Sequence, residues 1–410
     1  MTALALALVL ASGPTFIDDD FGKALKAAKA QKKLLFVDAW APWCHTCVAM
    51  KEQVFTRESF KAFEKDVVFA SVDTEKTKSA AFLEKYPINV WPTLLFIDPA
   101  KETVVLKWLG SADEAQMKSL LEAAKGGAGA TREADDALGA GNVDLAAQKY
   151  QAAVQGGDTS SRTVLSALAA LTLAKQNEVC ARTVIEQLPS LTAPADRVAA
   201  LTWGIGCATE LPEGKGRTTT LDLLVGEGLK ALSLGGVLPD DTSGLYEVLV
   251  SEREAAKDGD GAKALAAKWL GFLEGEAGKA KSAAERAVFD PHRVNAALAS
   301  GQAAKMIEPL QQSEKDFPKD YNPAARLALI YRELGQLDDA LKAIDRALPR
   351  CKEGPRKLRL FDVKASVLEK KGDAAARKKT LEEALKYARA LPKAQVSEKR
   401  LAALEAELKK

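Results

Sequence analysis

Fourteen of the 25 aromatic residues in this 410-residue chain fall within its first 125 positions: four Trp, nine Phe and one Tyr. That segment has to build its core from large rings. The remaining 285 residues, rich in Ala and Leu, have to pack through small and aliphatic side chains. Two kinds of packing imply at least two structural units, and so does length, because single cores stop growing beyond about 250–300 residues. Charge divides the chain again. Residues 15–125 carry 16 basic and 16 acidic side chains, residues 126–349 carry 24 against 31, and residues 350–410 carry 18 against 9. The overall charge of +2 gives no general attraction to nucleic acid, so no nucleic-acid partner is expected. No apolar run reaches the roughly 18 residues of an integral membrane span. Five cysteines are too few for a disulfide scaffold, and two histidines argue against a multi-histidine metal site.

Residues 1–14 read as a possible export signal. The stretch Ala3 to Ala11 is apolar, and Ala11-Ser12-Gly13 has the small side chains of a cleavage site, although no basic residue precedes it and Pro14 follows closely. This gives an expectation of a periplasmic or otherwise exported protein. The alternative is an apolar tail on a cytoplasmic one. The sequence GGAGA at residues 126–130 has linker composition. It separates residues 15–125, where strands and helices alternate, from residues 131–410, which read as helical throughout.

Within residues 15–125, Phe21 to Lys33 has helical spacing and Leu34-Leu35-Phe36-Val37 is a buried strand. Val48 to Lys65 reads as a helix, Val67 to Val72, Leu94 to Ile97 and Val104 to Trp108 as strands, and Glu114 to Ala124 as a closing helix. The alternation argues for one α/β domain. After the first strand come Asp38-Ala39-Trp40-Ala41-Pro42-Trp43 and then Cys44-His45-Thr46-Cys47, with Trp91-Pro92-Thr93 ahead of a later strand.

This set of motifs resembles the thioredoxin superfamily. It is most similar to the thioredoxin-like domains of periplasmic thiol-disulfide interchange reductases. The residues alone already supply a chemistry. A free thiol has a pKa of about 8.5, and a helix N-terminus at Cys44 favours the thiolate. Two intervening residues bring Cys47 within disulfide reach, so Cys44 can attack a substrate disulfide and Cys47 can resolve the mixed disulfide. A protonated His45 would further favour the thiolate. Half a zinc site is the other reading of a CxxC pair, but structural zinc needs four ligands and no second pair exists, so neither metal nor cofactor is expected.

The resemblance implies further roles. Asp38 matches the buried carboxylate that helps deprotonate the resolving cysteine, and burial should raise its pKa. Pro92 matches the cis-proline facing the cysteines, Trp43 the exposed aromatic and Trp40 the buried one. Trp43, Trp91, Pro92 and Thr93 therefore become the expected substrate contacts. His45-Thr46 stands where the best-known members have Gly-Pro. Trp91 is bulkier than usual and narrows the expected groove. The family's accompanying lysine aligns with Phe69, which leaves Asp38 without an expected cation.

Beyond residue 131, Gly301 and Gly335 stand 34 residues apart. Leu327, Ala328, Tyr331, Ala340, Ile344 and Ala347 occupy spacings that resemble a tetratricopeptide repeat closely. Related matches surround Gly141 and Gly372, although Arg377 takes a small-residue position. Glycine ends the first helix of such a pair, and Asn142 or Asp373 caps the second. Residues 160–290 show helix pairs with a degraded signature. Cys180, Cys207 and Cys351 lie on expected helices as small hydrophobes, and Cys180 and Cys207 have the option of pairing in an oxidising compartment.

The expected architecture is an α/β thioredoxin-like domain followed by an all-α tetratricopeptide-type solenoid. The expected function is thiol-disulfide exchange with protein disulfide or dithiol clients, catalysed by Cys44, Cys47 and Asp38. An electron donor or acceptor completes the cycle, and the helical module binds partners. The competing reading is a non-catalytic repeat scaffold with a redox-sensing attachment. With the motifs complete in residues 15–125 and a glycine linker after them, that domain is expected to fold alone.

Overall fold

The first segment folds around strands that are apolar on both faces. The computed structural model describes residues 13–126 and 131–409. Its five strands are β1 (Phe16–Asp18), β2 (Leu34–Trp40), β3 (Val67–Asp73), β4 (Thr93–Asp98) and β5 (Thr103–Leu109), in the order β1-β3-β2-β4-β5. Strand β3 runs parallel to β1 and β2, while β4 runs antiparallel to β2 and β5. Four helices complete the segment: α1 (Phe21–Gln31), α2 (His45–Gln53), α3 (Ala80–Lys85) and α4 (Glu114–Gly126).

Alternation along β2 decides what each face meets. Leu35, Val37 and Ala39 pack with Ala24 and Ala28 of α1 and with Phe82 and Leu83 of α3. Phe36 points the other way, its ring 5.4 Å from Phe69 and 5.2 Å from Phe96. Asp38 therefore faces the Phe36 side of the sheet, the side that α2 covers. Two local readings are corrected. Strand β1 lies outside the expected set, as a three-residue edge paired through Phe16 and Phe69. The helix expected over Val48 to Lys65 instead breaks after Gln53, where the N–H groups of Val54 and Phe55 both donate to Met50 O, and resumes as a 3₁₀ turn at Glu58–Lys65.

The described residues beyond 131 form helices joined by short turns, as the repeat spacing requires. In the pair Asn322–Glu333 and Leu337–Arg350, Ala328, Ala340 and Ala347 are fully buried. Gly335 turns between the two helices with φ +72°, a left-handed conformation that glycine adopts without cost from a side chain. Asn142 and Asp373 cap as expected, accepting from Leu145 N and Ala376 N. Residues 160–290 contain Ser161–Leu173, Asn177–Gln187, Pro194–Thr209, Lys215–Ala231, Pro239–Ala255, Gly259–Gly278 and the short Ala283–Ala287. The option left open for Cys180 and Cys207 is resolved: a disulfide joins helix Asn177–Gln187 to helix Pro194–Thr209.

Residues 1–12, which hold most of the possible export signal, and linker residues 127–130 lie outside the described residues. The sparse contact expected across that linker is not found. One apolar cluster runs from Phe36, Trp108 and Leu121 through Leu138 and Tyr150 into the helices beyond. Helix Arg132–Gly139 sits so close to β5 that a Cβ on Gly139 would stand 2.9 Å from Val104 Cβ. The sheet-containing segment and the helical array share a core, because β5 and α4 present apolar side chains on the face that the first helices cover.

The Cys180–Cys207 bond closes a loop of 27 residues, for which the chain-entropy relation gives about 3.5 kcal/mol of stabilisation. The double substitution Cys180→Ala/Cys207→Ala should lower unfolding free energy by about that amount in urea titration, with Cys44–Cys47 kept oxidised. An unchanged midpoint would show that the bond adds nothing to the folded state.

Candidate active site at the start of α2

Cys44 is the N-cap of α2, and its Sγ accepts from the backbone N–H of Cys47 at 3.1 Å. The two cysteines are joined in a disulfide one helical turn apart. When that bond is reduced, the Cys44 sulfur stands where the helix offers unpaired N–H groups and the positive end of its dipole.

Asp38 lies beneath this helix on β2, only 1% exposed, and neither carboxylate oxygen accepts a hydrogen bond from a protein group. Burial pushes its pKa up, Lys51 pulls it back and Asp18 raises it, leaving it at about 7. The aligned Phe69 brings no charge, since it sits in the ring cluster with Phe36. The cation comes instead from Lys51, which corrects the expectation that Asp38 has none. Lys51 follows Cys47 by four residues on α2 and so shares its face. Its Nζ donates to Ser71 Oγ at 2.9 Å and stands 3.2 Å from the Trp40 ring centroid, and burial lowers its own pKa. Ser71 is the register partner of Asp38 on β3. The i, i+4 spacing of Cys47 and Lys51 is the one sequence signal from which this cation was legible. Asp38, Lys51 and Ser71 border a cavity of about 200 Å³ with Pro14 and Phe16.

The Trp91–Pro92 bond is cis, as the resemblance implies. Trp91 donates through Nε1 to Thr74 Oγ1 at 2.8 Å and packs its ring 5.3 Å from that of Trp43. Trp43 is half-buried rather than exposed, because Arg356 of the helical array lies over its ring at 5.0 Å and Glu75 takes its indole N–H at 2.7 Å. Thr93 is fully buried, with its hydroxyl donating to Val90 O. Its side chain is a support from behind rather than part of a surface.

The helical array closes over this end of the sheet, and Cys44 keeps only 5% of its surface exposed. Asn322 Nδ2 donates to Pro42 O at 3.2 Å, the N–H of Arg356 donates to Glu75 at 2.8 Å, and Gln395 Nε2 donates to Thr74 O at 2.8 Å. What remains beside Cys44 is a cavity of about 190 Å³ bounded by Trp43, His45, Asp290, Asn322 and Arg326. None of these helical-array partners is readable from local sequence.

His45 makes its hydrogen bond across to the helical array. Its Nδ1 lies 2.9 Å from Asp240 Oδ1 and 3.1 Å from Thr46 Oγ1, and its ring centre is 3.9 Å from that of His292. His292 Nε2 meets the same Asp240 Oδ1 at 3.1 Å. Burial works against the charged form of His45, but the charge and hydrogen bond of Asp240, aided by Glu247, outweigh it and raise the pKa. Burial likewise opposes ionisation of Asp240, yet the two histidines hold its carboxyl well below the usual carboxylate range. Next to it, burial lifts Asp241 to about 7 against the hydrogen bond from Ser111. Ligand atoms of His45, His292 and Glu247 lie within 4.8 Å of one another, so the count of two histidines did not exclude a two-histidine cluster.

With this geometry in view, residues 16–99 match the family model described as Thioredoxin-like. The chain is 36% identical over 89 residues to Thioredoxin H3 of Arabidopsis thaliana, which is 21% of this chain and 71% of that protein. It is 35% identical over 82 residues to the thiol:disulfide interchange protein DsbD of Pseudoalteromonas atlantica, 20% of this chain but only 14% of that protein's length. Solved structures resemble it more loosely. A tetratricopeptide repeat protein from Parabacteroides merdae has a TM-score of 0.43 at 11% identity, over 67% of this chain and 94% of that one. BtubC (BKLC) from P. vanneervenii has a TM-score of 0.39 at 15% identity, over 54% of this chain and 92% of that one.

Two expected outcomes follow from the site's packing. In the folded chain Asp38 keeps its proton up to about pH 7, whereas an unfolded aspartate loses it near 4. Between those values the unfolded chain binds fewer protons, so stability falls as pH rises through that window. Asp38→Asn should remove this fall, leaving the variant more stable than the parent at pH 8 and close to it at pH 4. Parallel stability–pH curves for the two would refute the assignment. The second outcome concerns Gly354, whose φ is +89° and where a Cβ would stand 2.5 Å from Glu75 O. Gly354→Ala should lift the array from Glu75 and speed alkylation of reduced Cys44 by a bulky maleimide several-fold. An unchanged rate would mean that this contact does not hold the cover in place.

Proposed function

The chain belongs to the thioredoxin family through residues 16–99, and from that premise we propose that it exchanges disulfides with protein clients through Cys44 and Cys47. The carrying observation is the Cys44–Cys47 disulfide at the first turn of α2, on a helix end that favours a thiolate. In the reducing direction, the Cys44 thiolate attacks a client disulfide. One client sulfur leaves as a thiolate, and a Cys44–client mixed disulfide forms. Cys47 then gives its proton to Asp38 and attacks Cys44, releasing the second client thiolate. Two electrons have passed to the client, the Cys44–Cys47 disulfide is restored, and a separate dithiol donor reduces it again. A carboxyl titrating at about 7 suits this duty, since it takes and returns a proton near neutral pH. Trp43, Trp91 and Pro92 form the contacting rim, with Thr93 behind them.

The helical array is the partner-selecting module in this reading. Cys44 is only 5% exposed, so a client reaches it by engaging or displacing the array. An exported, oxidising setting is supported by the second disulfide, Cys180–Cys207, because cytosolic thiol systems keep such pairs reduced. The same low exposure of Cys44 favours a second reading, a scaffold in which the dithiol senses redox state and does not turn over.

Insulin reduction with a dithiol donor separates the two. A catalyst should complete many turnovers and lose them with Cys44→Ser, whereas a sensor reacts once per chain. In a catalyst, Asp38→Asn should slow resolution of the mixed disulfide more than its formation in stopped-flow measurements. Equal slowing of both steps would remove Asp38 from the proton-accepting role.

A further inference from the structure

The chain's two histidines, 247 positions apart, meet ring to ring between the redox segment and the helical array. His45 opens α2, His292 lies on helix Asp290–Ala299, and Asp240 and Glu247 share helix Pro239–Ala255 two turns apart. From this juxtaposition we propose a binding site for a divalent transition metal ion of the zinc class, held by His45, His292 and Glu247, with Asp240 orienting both imidazoles.

The hydrogen bonds dictate which nitrogens are available. An ionised carboxylate only accepts, so Asp240 Oδ1 takes the Nδ1–H of His45 at 2.9 Å and the Nε2–H of His292 at 3.1 Å. In neutral rings that leaves His45 Nε2 and His292 Nδ1 as bare lone pairs. His292 is 1% exposed, and its Nδ1 is a buried atom with no hydrogen-bond partner. An unpaired acceptor of this kind is costly unless something occupies it. Glu247 Oε2 stands 4.0 Å from that atom. Zinc bonds to nitrogen and carboxylate oxygen run to about 2.0–2.2 Å, so one ion fits between the two, and tetrahedral angles need a contraction to roughly 3.4 Å. The Glu247 side chain is 43% exposed, and its other oxygen, Oε1, accepts a long hydrogen bond from Asn295 Nδ2 at 3.3 Å that the movement has to stretch or exchange; that exposure opens a path for entry and for a water ligand. A carboxylate behind a ligating histidine is the usual second support of such sites, and here one carboxylate serves both rings. Two nitrogens and one oxygen form a borderline donor set that selects zinc, cobalt, nickel or copper over magnesium or calcium. The ion would bind the redox segment to the array one residue from Cys44.

The test uses the full-length chain, oxidised so that Cys44 and Cys47 cannot act as ligands, and freed of metal with a chelator. Titration with Co²⁺ should give visible d–d bands without thiolate charge transfer. The bands should saturate at one ion per chain and be displaced by Zn²⁺. His292→Gln and Glu247→Gln should each weaken Co²⁺ binding at least ten-fold. His292→Gln alters a buried ring, so circular dichroism must confirm its fold. If it does not fold, the exposed Glu247→Gln decides alone. No saturable binding by the parent chain, or an affinity unchanged in Glu247→Gln, would overturn the site and leave a purely protonic histidine–carboxylate cluster.

Discussion

Asp240 carries a buried negative charge, and both histidines of the chain turn to it, one from each half of the molecule. A buried charge is tolerated only when it is paired and hydrogen-bonded, and removing one partner from such a cluster strands the others. Together with the shared apolar core, this constraint positions the helical array over the first turn of α2. Helix Pro239–Ala255 has to present Asp240 at the height of His45, and helix Asp290–Ala299 has to bring His292 to the other side of it. Around this centre further hydrogen bonds cross between the halves at Pro42, Thr74, Glu75, Ser111 and Gln116. They fix orientation more than they supply energy.

The consequence for chemistry is that access to Cys44 depends on tertiary structure and not only on its helix end. The helix end at Cys44 and the Asp38–Lys51 pair beneath α2 are local features of the first segment, whereas the cover is not. The cover leaves a cavity of about 190 Å³ beside Cys44. In the proposed reaction, exchange with a protein client couples to movement of the array or to entry of an extended client segment.

The two halves pack by different means within one continuous apolar cluster. Rings of Phe16, Phe36, Phe69 and Phe96 fill one side of the sheet, where large side chains span the distance to α2 and α4. In the helical pairs, alanines such as Ala328 and Ala340 let the backbones approach. At their junction Gly139 stands against Val104, so the change from one mode to the other is made by removing a side chain. That junction is why a composition break and a glycine-rich stretch, which read as a domain boundary, do not correspond to a break in the core.

Much of this was fixed by local sequence, because its physics is local. Apolar runs bounded by turns specify the strands, a 34-residue period specifies helix pairs, and Cys44-His45-Thr46-Cys47 ahead of a helix places a cysteine pair at that helix's first turn. The cation for Asp38 was not read there, although the four-residue step from Cys47 puts Lys51 on the same face of α2. The neighbours of the site were not legible, since Asp240, Glu247, His292 and Arg356 come within reach only when helices some two to three hundred residues away close over α2. No period or spacing encodes that closure. It is decided by long-range packing of apolar faces and by the need to pair one buried carboxylate, and so only the tertiary structure brings His45 together with Asp240 and His292.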